Sequence, residues 1–366
     1  MITSEKACLL LHFLPKIGPI RAQRLLRHFK TPEAIFFADP KALLSVEGMG
    51  LKHLSTLQSW ESYLPQLERE EKLMSASGIR AIIPTHKEYP KRLLNCPDAP
   101  VVLFCKGQNP LHNNKVVSIV GTRNPSRYGR ACARELIEQL VAYQPTIVSG
   151  FAYGIDICVH REALKHQLPM VACLAHGLDR IYPEAHRNFV AETLQQGGLV
   201  SDFSCQATFD RHNFFQRNRI IAGLSDVTVV VESDLRGGSM NTAQYAWEYN
   251  RELWVFPGRL QDEKSRGCLH LAASQKAQLI CDIVSFPQQL GWEDQMSAVG
   301  KQQQLPLELD AVESRIWELL HQQGKSHVDA LAFQLRMEIR QLSAILFQME
   351  MKSCIRALPG KFFEAL

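Results

Sequence analysis

Five segments of this 366-residue sequence join glycine, hydroxyl, aromatic and guanidinium groups in patterns suited to holding an anion or a base. The first is Gly121-Thr122-Arg123-Asn124-Pro125-Ser126-Arg127-Tyr128-Gly129, which follows an apolar run and precedes a helical pattern. Its glycine allows close backbone approach, its hydroxyls donate, and its two arginines offer forked contacts, which is the chemistry of a phosphate cradle at a helix start. Ser149-Gly150-Phe151-Ala152-Tyr153-Gly154-Ile155-Asp156 is a second such turn, and His176-Gly177-Leu178-Asp179-Arg180-Ile181-Tyr182-Pro183 a third. Further on, Phe214-Phe215-Gln216-Arg217-Asn218-Arg219 sets aromatics beside arginines, and Arg236-Gly237-Gly238-Ser239-Met240-Asn241-Thr242 opens another helix. Aromatic faces stack bases while arginines hold phosphates, the usual means of recognising a single strand.

Each segment has a plainer reading. Any doubly wound fold needs Gly-rich strand-to-helix turns, Phe214 or Phe215 alone suits a core, and Arg219 alone suits a structural ion pair. Their joint occurrence on loops expected at one sheet edge favours a site. No G-x-x-x-x-G-K-[ST] and no G-x-G-x-x-G after the first strand is present, so neither a nucleoside triphosphate nor a dinucleotide cofactor has its usual cradle. Asp156 and Asp179 are read as a helix cap and a loop-ordering group. No catalytic residue, metal ligand or cofactor is assigned.

Positioning these loops requires a sheet. Residues 76–290 alternate strand-like runs (Val116–Val120, Thr146–Val148, Met170–Leu174, Val227–Val231 and Leu253–Phe256) with helical patterns. One such helix carries Ala133, Leu136, Ile137, Leu140 and Val141 at the three-and-four spacing that covers a sheet. The reading is an α/β, Rossmann-like parallel sheet with helices on both faces, whose ligands sit beyond the carboxyl ends of the strands.

Residues 1–75 read as short helices around Ile17-Gly18-Pro19-Ile20 and Val46-Glu47-Gly48-Met49-Gly50, each similar to a helix-hairpin-helix turn. Such turns either dock a phosphate on exposed amides or simply join packed helices. A polar linker is expected at 291–304, around Gln302-Gln303-Gln304, followed by a winged helix over 305–366 whose wing is Cys354–Leu358, Pro359-Gly360 and Lys361–Phe363. From Leu305 onward there are seven Lys/Arg against eight Asp/Glu, a net charge of −1 and a poor footprint for duplex phosphates.

Composition agrees with a multidomain globular chain: 46% hydrophobic, 21% charged and a formal net charge of +4, so any nucleic-acid surface must be a local groove. No apolar run is long enough to span a bilayer and the first residues lack a secretory pattern, so a cytoplasmic location and no membrane partner are expected. The ten cysteines form no C-x-x-C pair and are read as reduced core residues.

The segments resemble the successive motifs of the DNA-processing protein A family (DprA, also called Smf): Gly121-Thr122-Arg123 with Tyr128-Gly129, Ser149-Gly150 with Tyr153-Gly154-Ile155-Asp156, Gly177-Leu178-Asp179 with Tyr182-Pro183, Arg217-Asn218-Arg219-Ile220-Ile221-Ala222-Gly223-Leu224-Ser225, and Pro257-Gly258. The similarity runs in order over at least residues 85–290. It implies a nonenzymatic protein that binds single-stranded DNA, forms a homodimer, loads RecA and protects incoming DNA during natural transformation. Carried over residue by residue, the DNA contacts are Gly121, Thr122, Arg123, Phe215, Arg217, Asn218 and Arg219, with Ser149, Gly150, Gly237, Gly238 and Ser239 on the adjoining loops.

Two positions depart from the family pattern. Gln216 stands where a Pro or small residue usually follows the Phe, and Leu269-His270 follows Gly267-Cys268 where Asn is common. The alternative is a phosphoribohydrolase-like enzyme of the same fold, whose P-G-G-x-G-T-x-x-E loop would correspond to Arg236–Tyr245. That segment has no glutamate at the acid/base position. Arg123 and Arg217 are expected to converge on one DNA backbone without supporting the core, so that replacing either leaves thermal stability unchanged.

Overall fold

β1 (Arg80–Ile82), β2 (Leu103–Gly107), β3 (Val116–Val120), β4 (Thr146–Ser149), β5 (Met170–Cys173), β6 (Gly197–Ser201), β7 (Val227–Val230), β8 (Glu252–Val255) and β9 (Gln278–Leu279) lie in one sheet, in the order β1-β2-β6-β5-β4-β3-β7-β8-β9. They belong to a computed structural model describing residues 2–108, 110–292, 310–335, 337–352, 354–358 and 360–365. The chain divides into two compact units, Met1–Ser297 and Ala298–Leu366. From β6 to β9 every pairing is parallel, whereas β1 pairs antiparallel with β2 and β2 antiparallel with β6. The sheet is thus mostly parallel, Rossmann-like, with an antiparallel edge. A short apolar run such as Leu103-Phe104-Cys105 marks a strand without giving its direction, which is why the edge escapes a reading by periodicity.

Alternation along each strand supplies both faces. Val116 and Val120 of β3 join Ile220, Ile221, Leu224 and Ala243 on one side. Val117 and Ile119 join Leu136, Ile137, Leu140 and Val159 on the other. The helix Arg127–Leu140 is capped by Ser126, whose Oγ accepts from Gly129 N at 3.1 Å, and it buries Cys132, Ala133, Leu136, Ile137 and Leu140. Each large aliphatic side chain covered in this way contributes about 1.5–3 kcal/mol, which is what holds the loops beyond the strands in place.

The N-terminal helices Ser4–Phe13, Pro19–Phe29, Pro40–Leu44, Leu51–Gln58 and Leu64–Ser77 share a core with the sheet: Leu9, Leu11, Leu25, Ile35 and Leu57 cluster with Phe104, Ala172 and Leu199. A fully buried carboxylate fastens this block to the loop after β6, since Glu70 accepts from Cys205 N at 2.6 Å and from Gln206 Nε2 at 3.0 Å. Eight of the ten cysteines are buried, Cys158 is half-buried and Cys281 is exposed, the last departing from the core role expected of it; all are free thiols.

The second unit comprises helices Ala311–Gln323, Val328–Leu335 and Ile339–Met351 with strands β10 (Ser326–His327), β11 (Ile355–Leu358) and β12 (Phe362–Ala365), ordered β10-β12-β11. This is a winged helix around Ile316, Leu320, Leu331, Leu342 and Leu346. Asp310 and Glu313 form a reciprocal capping box at its start. Of the expected linker, residues 293–304 lie outside the described residues, as does Pro359 of the wing.

Candidate nucleic-acid interface

β3 has parallel neighbours on both sides, β4 and β7, so the connections after β3 and after β7 run to opposite sides, the switch point at whose carboxyl edge sheets of this kind form a crevice. The loops beginning at Gly121, Gly150 and Val231 leave from this one edge. The helix His212–Leu224 runs back toward the start of β7, which puts its first turn at the same edge.

Glu232 organises the first loop from within. Thr122 N donates to its carbonyl at 2.8 Å, and its buried carboxylate accepts from Ser126 N at 2.9 Å and Ser126 Oγ at 2.5 Å. The protein's own carboxylate therefore takes up part of the helix start that the sequence offers to a phosphate, which corrects the cradle reading. An anion would meet the exposed Arg123 side chain and the half-buried Thr122 instead.

At the second loop Ser149 Oγ donates to Ile119 O at 2.6 Å and is fully buried, so its hydroxyl serves the sheet. Gly150 lies between Asp156 and Arg217: a Cβ there would collide with Asp156 Oδ2 and sit 2.6 Å from Arg217 Nη1. Gly154 holds φ +86°, which lets the chain turn sharply into the next helix.

Arg217 is only 5% exposed; Nη1 donates to the Cys173 carbonyl, and Nε to Asn218 Oδ1 at 3.2 Å. Burial pushes its guanidinium below the usual range, opposed by the Asp156 carboxylate, while burial raises Asp156, opposed by Arg217. The expectation that Arg217 does not support the core is therefore corrected: it braces the end of β5. Asn218 reaches the last loop, donating from Nδ2 to Gly238 O at 3.1 Å. Ser239 is buried and donates to Ser233 Oγ at 2.7 Å. Gly237 and Gly238 keep backbone at the edge, half-buried and exposed respectively.

Phe214 is the ring at the centre. The Arg123 guanidinium lies 5.1 Å from its centroid and the Arg217 guanidinium 6.0 Å. Phe215, chosen from the sequence, has no ring contact with Phe214 among the described residues: it is 51% exposed, its ring is 6.5 Å from His212, and its carbonyl accepts from Asn241 Nδ2 at 3.0 Å. Adjacent helical residues point about 100° apart, and sequence alone does not say which faces the crevice. Arg219 also leaves the group, bonding Asp98 O and Asp202 in a buried ion pair. Burial disfavours its charge, but Asp202 and Asp98 more than offset this and raise its pKa.

Two neighbours lie outside the contact set expected from the sequence: Phe209, which no motif marks, and Tyr182, which falls on the third loop without a contact role. Tyr182 and Phe209 are 46% and 41% exposed, with ring centroids 4.8 Å apart and 6.0 and 5.9 Å from Phe214. Phe209 sits in the polar stretch Ala207-Thr208-Phe209-Asp210-Arg211, and an aromatic flanked by polar loop residues is the signal that would have found it. For metals, Glu138, Glu162 and His166 bring ligand atoms within 4.8 Å of one another, but Glu162 already pairs with Arg134 and Lys165.

Comparison with known proteins matches three stretches to family models: SAM-like helix-hairpin-helix tandem over residues 9–58, DNA recombination-mediator protein A over 80–291, and the DprA winged helix domain over 300–361. Protein Smf of Synechocystis is 29% identical over 381 residues, covering 95% of each chain. The solved structure of DNA processing protein A from Streptococcus pneumoniae is 25% identical, covers 80% of this chain and 99% of that one, and superposes with a TM-score of 0.66. That from Helicobacter pylori, described for its single-stranded DNA binding mode, is 30% identical, covers 59% and 97%, and gives 0.54.

Proposed function

Because the chain belongs to the DNA recombination-mediator protein A (DprA/Smf) family, we propose that it binds single-stranded DNA in the crevice at the carboxyl edge of its sheet. The observation that carries this reading is the Phe214 ring with the Arg123 and Arg217 guanidiniums 5.1 and 6.0 Å from its centroid, bordered by exposed Tyr182 and Phe209. Ring faces stack bases of any identity and guanidiniums hold the phosphates between them, so binding is strong in salt dependence and weak in sequence preference. The contact set is Gly121, Thr122, Arg123, Gly150, Phe214, Arg217, Asn218, Gly237 and Gly238. Phe215 lies at its margin, while Ser149, Arg219 and Ser239 support it from behind. The related Helicobacter pylori protein's single-stranded DNA binding supports the assignment.

Family membership supports a wider role, which we propose to be that of a nonenzymatic recombination mediator, working as a homodimer in the cytoplasm, that protects incoming strands and loads RecA during natural transformation. Two features speak against a hydrolase. Glu232 is committed to Ser126, and Asp156 is buried beside Gly150 with its pKa raised by burial, so neither is an accessible acid/base pair. Fluorescence anisotropy with single-stranded and blunt duplex DNA across a salt series tests the binding. Equal affinity for the duplex, or affinity indifferent to salt, would refute it. RecA assembly on a strand precoated with single-strand-binding protein, with and without this protein, tests the mediator role.

A further inference from the structure

A cleft of about 510 Å³ lies on the other side of the Phe214 helix from the crevice, between the first helical turn and the end of β6. One wall is Gly18, Ile20 and Arg21; the other is Asp98, Asp202 and Gln216. Its volume is in the range of small-molecule sites.

The first wall is suited to an anion. Gly18 caps the helix Pro19–Phe29 with no side-chain hydrogen bond, and its first internal bond runs from Ala22 N to Gly18 O at 3.0 Å. The amides of Ile20 and Arg21 precede that bond and face outward from the helix start. Arg21 is braced by the carbonyls of Gly48 (3.0 Å) and Lys16 (3.2 Å) and pairs with no carboxylate among the described residues.

On the second wall one acceptor lacks a donor. Asp202 is 8% exposed; one oxygen holds Arg219, while Oδ1 is buried with no hydrogen-bond partner. A buried acceptor left in this way is costly, and a donor entering the cleft would recover that cost. A group anionic at one end and carrying N–H donors at the other is a nucleotide: its phosphate meets Arg21 and the helix start, and its base N–H meets Asp202. Gln216 lies between Phe215 and Arg217 in the chain, so the cleft adjoins the crevice.

We propose that this cleft is a second nucleotide subsite, taking one turned-out nucleotide of a strand that also lies on Phe214. The proposal rests on the strand-binding reading above and extends the bound strand across the N-terminal helices. Every natural base carries at least one ring or amino N–H, so the subsite adds length dependence without a strict base preference.

The test compares the full-length parent with Ile20→Glu and Arg123→Ala on oligo-dT of about six and about twenty nucleotides. Ile20 is half exposed at the cleft mouth, and an acid at a helix N-terminus favours the helix, so Ile20→Glu should fold while repelling phosphate. The expected result is unchanged affinity for the short strand and several-fold weaker affinity for the long one. Abasic spacers at one end of the long strand should weaken the parent and leave Ile20→Glu unaffected. If Ile20→Glu binds the long strand like the parent, or weakens both lengths equally, the subsite is refuted. If Arg123→Ala binds like the parent, the crevice reading itself fails, a separate outcome.

Discussion

Arg217 stands directly behind Gly150: a Cβ on residue 150 would lie 2.6 Å from Nη1 of the guanidinium and collide with Asp156 on its other side. The same guanidinium donates to the Cys173 carbonyl and lies 6.0 Å from the Phe214 ring, so Gly150 is where the loop after β4 yields to the residues that shape the crevice.

Gly150→Ala is expected to displace Arg217 or Asp156, since neither is at the far end of an exposed chain. Overpacking of this kind costs about 1–3 kcal/mol. Thermal unfolding and strand binding should both suffer. A variant that melts and binds like the parent would show that the two side chains shift without consequence.

The two crevice arginines should separate. Arg123 is exposed and over Phe214, so Arg123→Ala should weaken single-strand binding by at most about 1–3 kcal/mol, lower the salt slope and leave the melting temperature unchanged. Arg217→Ala removes the donor to Cys173 O from a buried site and should also destabilise the fold by about 1–3 kcal/mol. Parallel melts and salt titrations decide this; equal melting temperatures for both variants would refute the bracing role of Arg217.

Phe214→Ala should lose about 1–3 kcal/mol of strand affinity through lost stacking, and Phe215→Ala markedly less. Anisotropy with oligo-dT reads the difference, and the reverse order would move the site to the outer ring.

The phenylalanine pair also shows where sequence reading stops. β3, β4, β5, β7 and β8 were legible because short β-branched runs such as Val116–Val120 and Val227–Val230, bounded by turn residues, favour a buried strand, and the Gly-rich turns after them marked the sheet edge. What stayed hidden depends on facing and on pairing between distant segments. Adjacent Phe214 and Phe215 have the same composition but opposite surroundings. Arg219 reads like Arg217 until Asp98 and Asp202 arrive from residues more than a hundred and fewer than twenty positions away. Glu232 fills part of a helix start 106 residues earlier in the chain, a contact no local pattern announces.

Acid should loosen this edge through His160. Its Nε2 is 2.6 Å from Gly150 O, its Nδ1 is buried without a partner, and burial holds its pKa down at about 4 against 6.5 for a free imidazole. In the unfolded chain the ring protonates near pH 6.5, whereas the folded protein resists protonation until about pH 4, so the unfolded state binds the extra proton in between. Stability is therefore full above pH 6.5 and is lost as pH falls toward 4, by roughly 3 kcal/mol for this group at the acid end. His12, His176 and His186, also lowered by burial, act in the same direction. His160→Gln keeps an N–H for the Gly150 carbonyl without a titrating ring, so its melting temperature should fall less steeply than the parent's between pH 6.5 and 4.5. Identical slopes in melts across that range would show that His160 is protonated in the folded state or contributes nothing to the acid response.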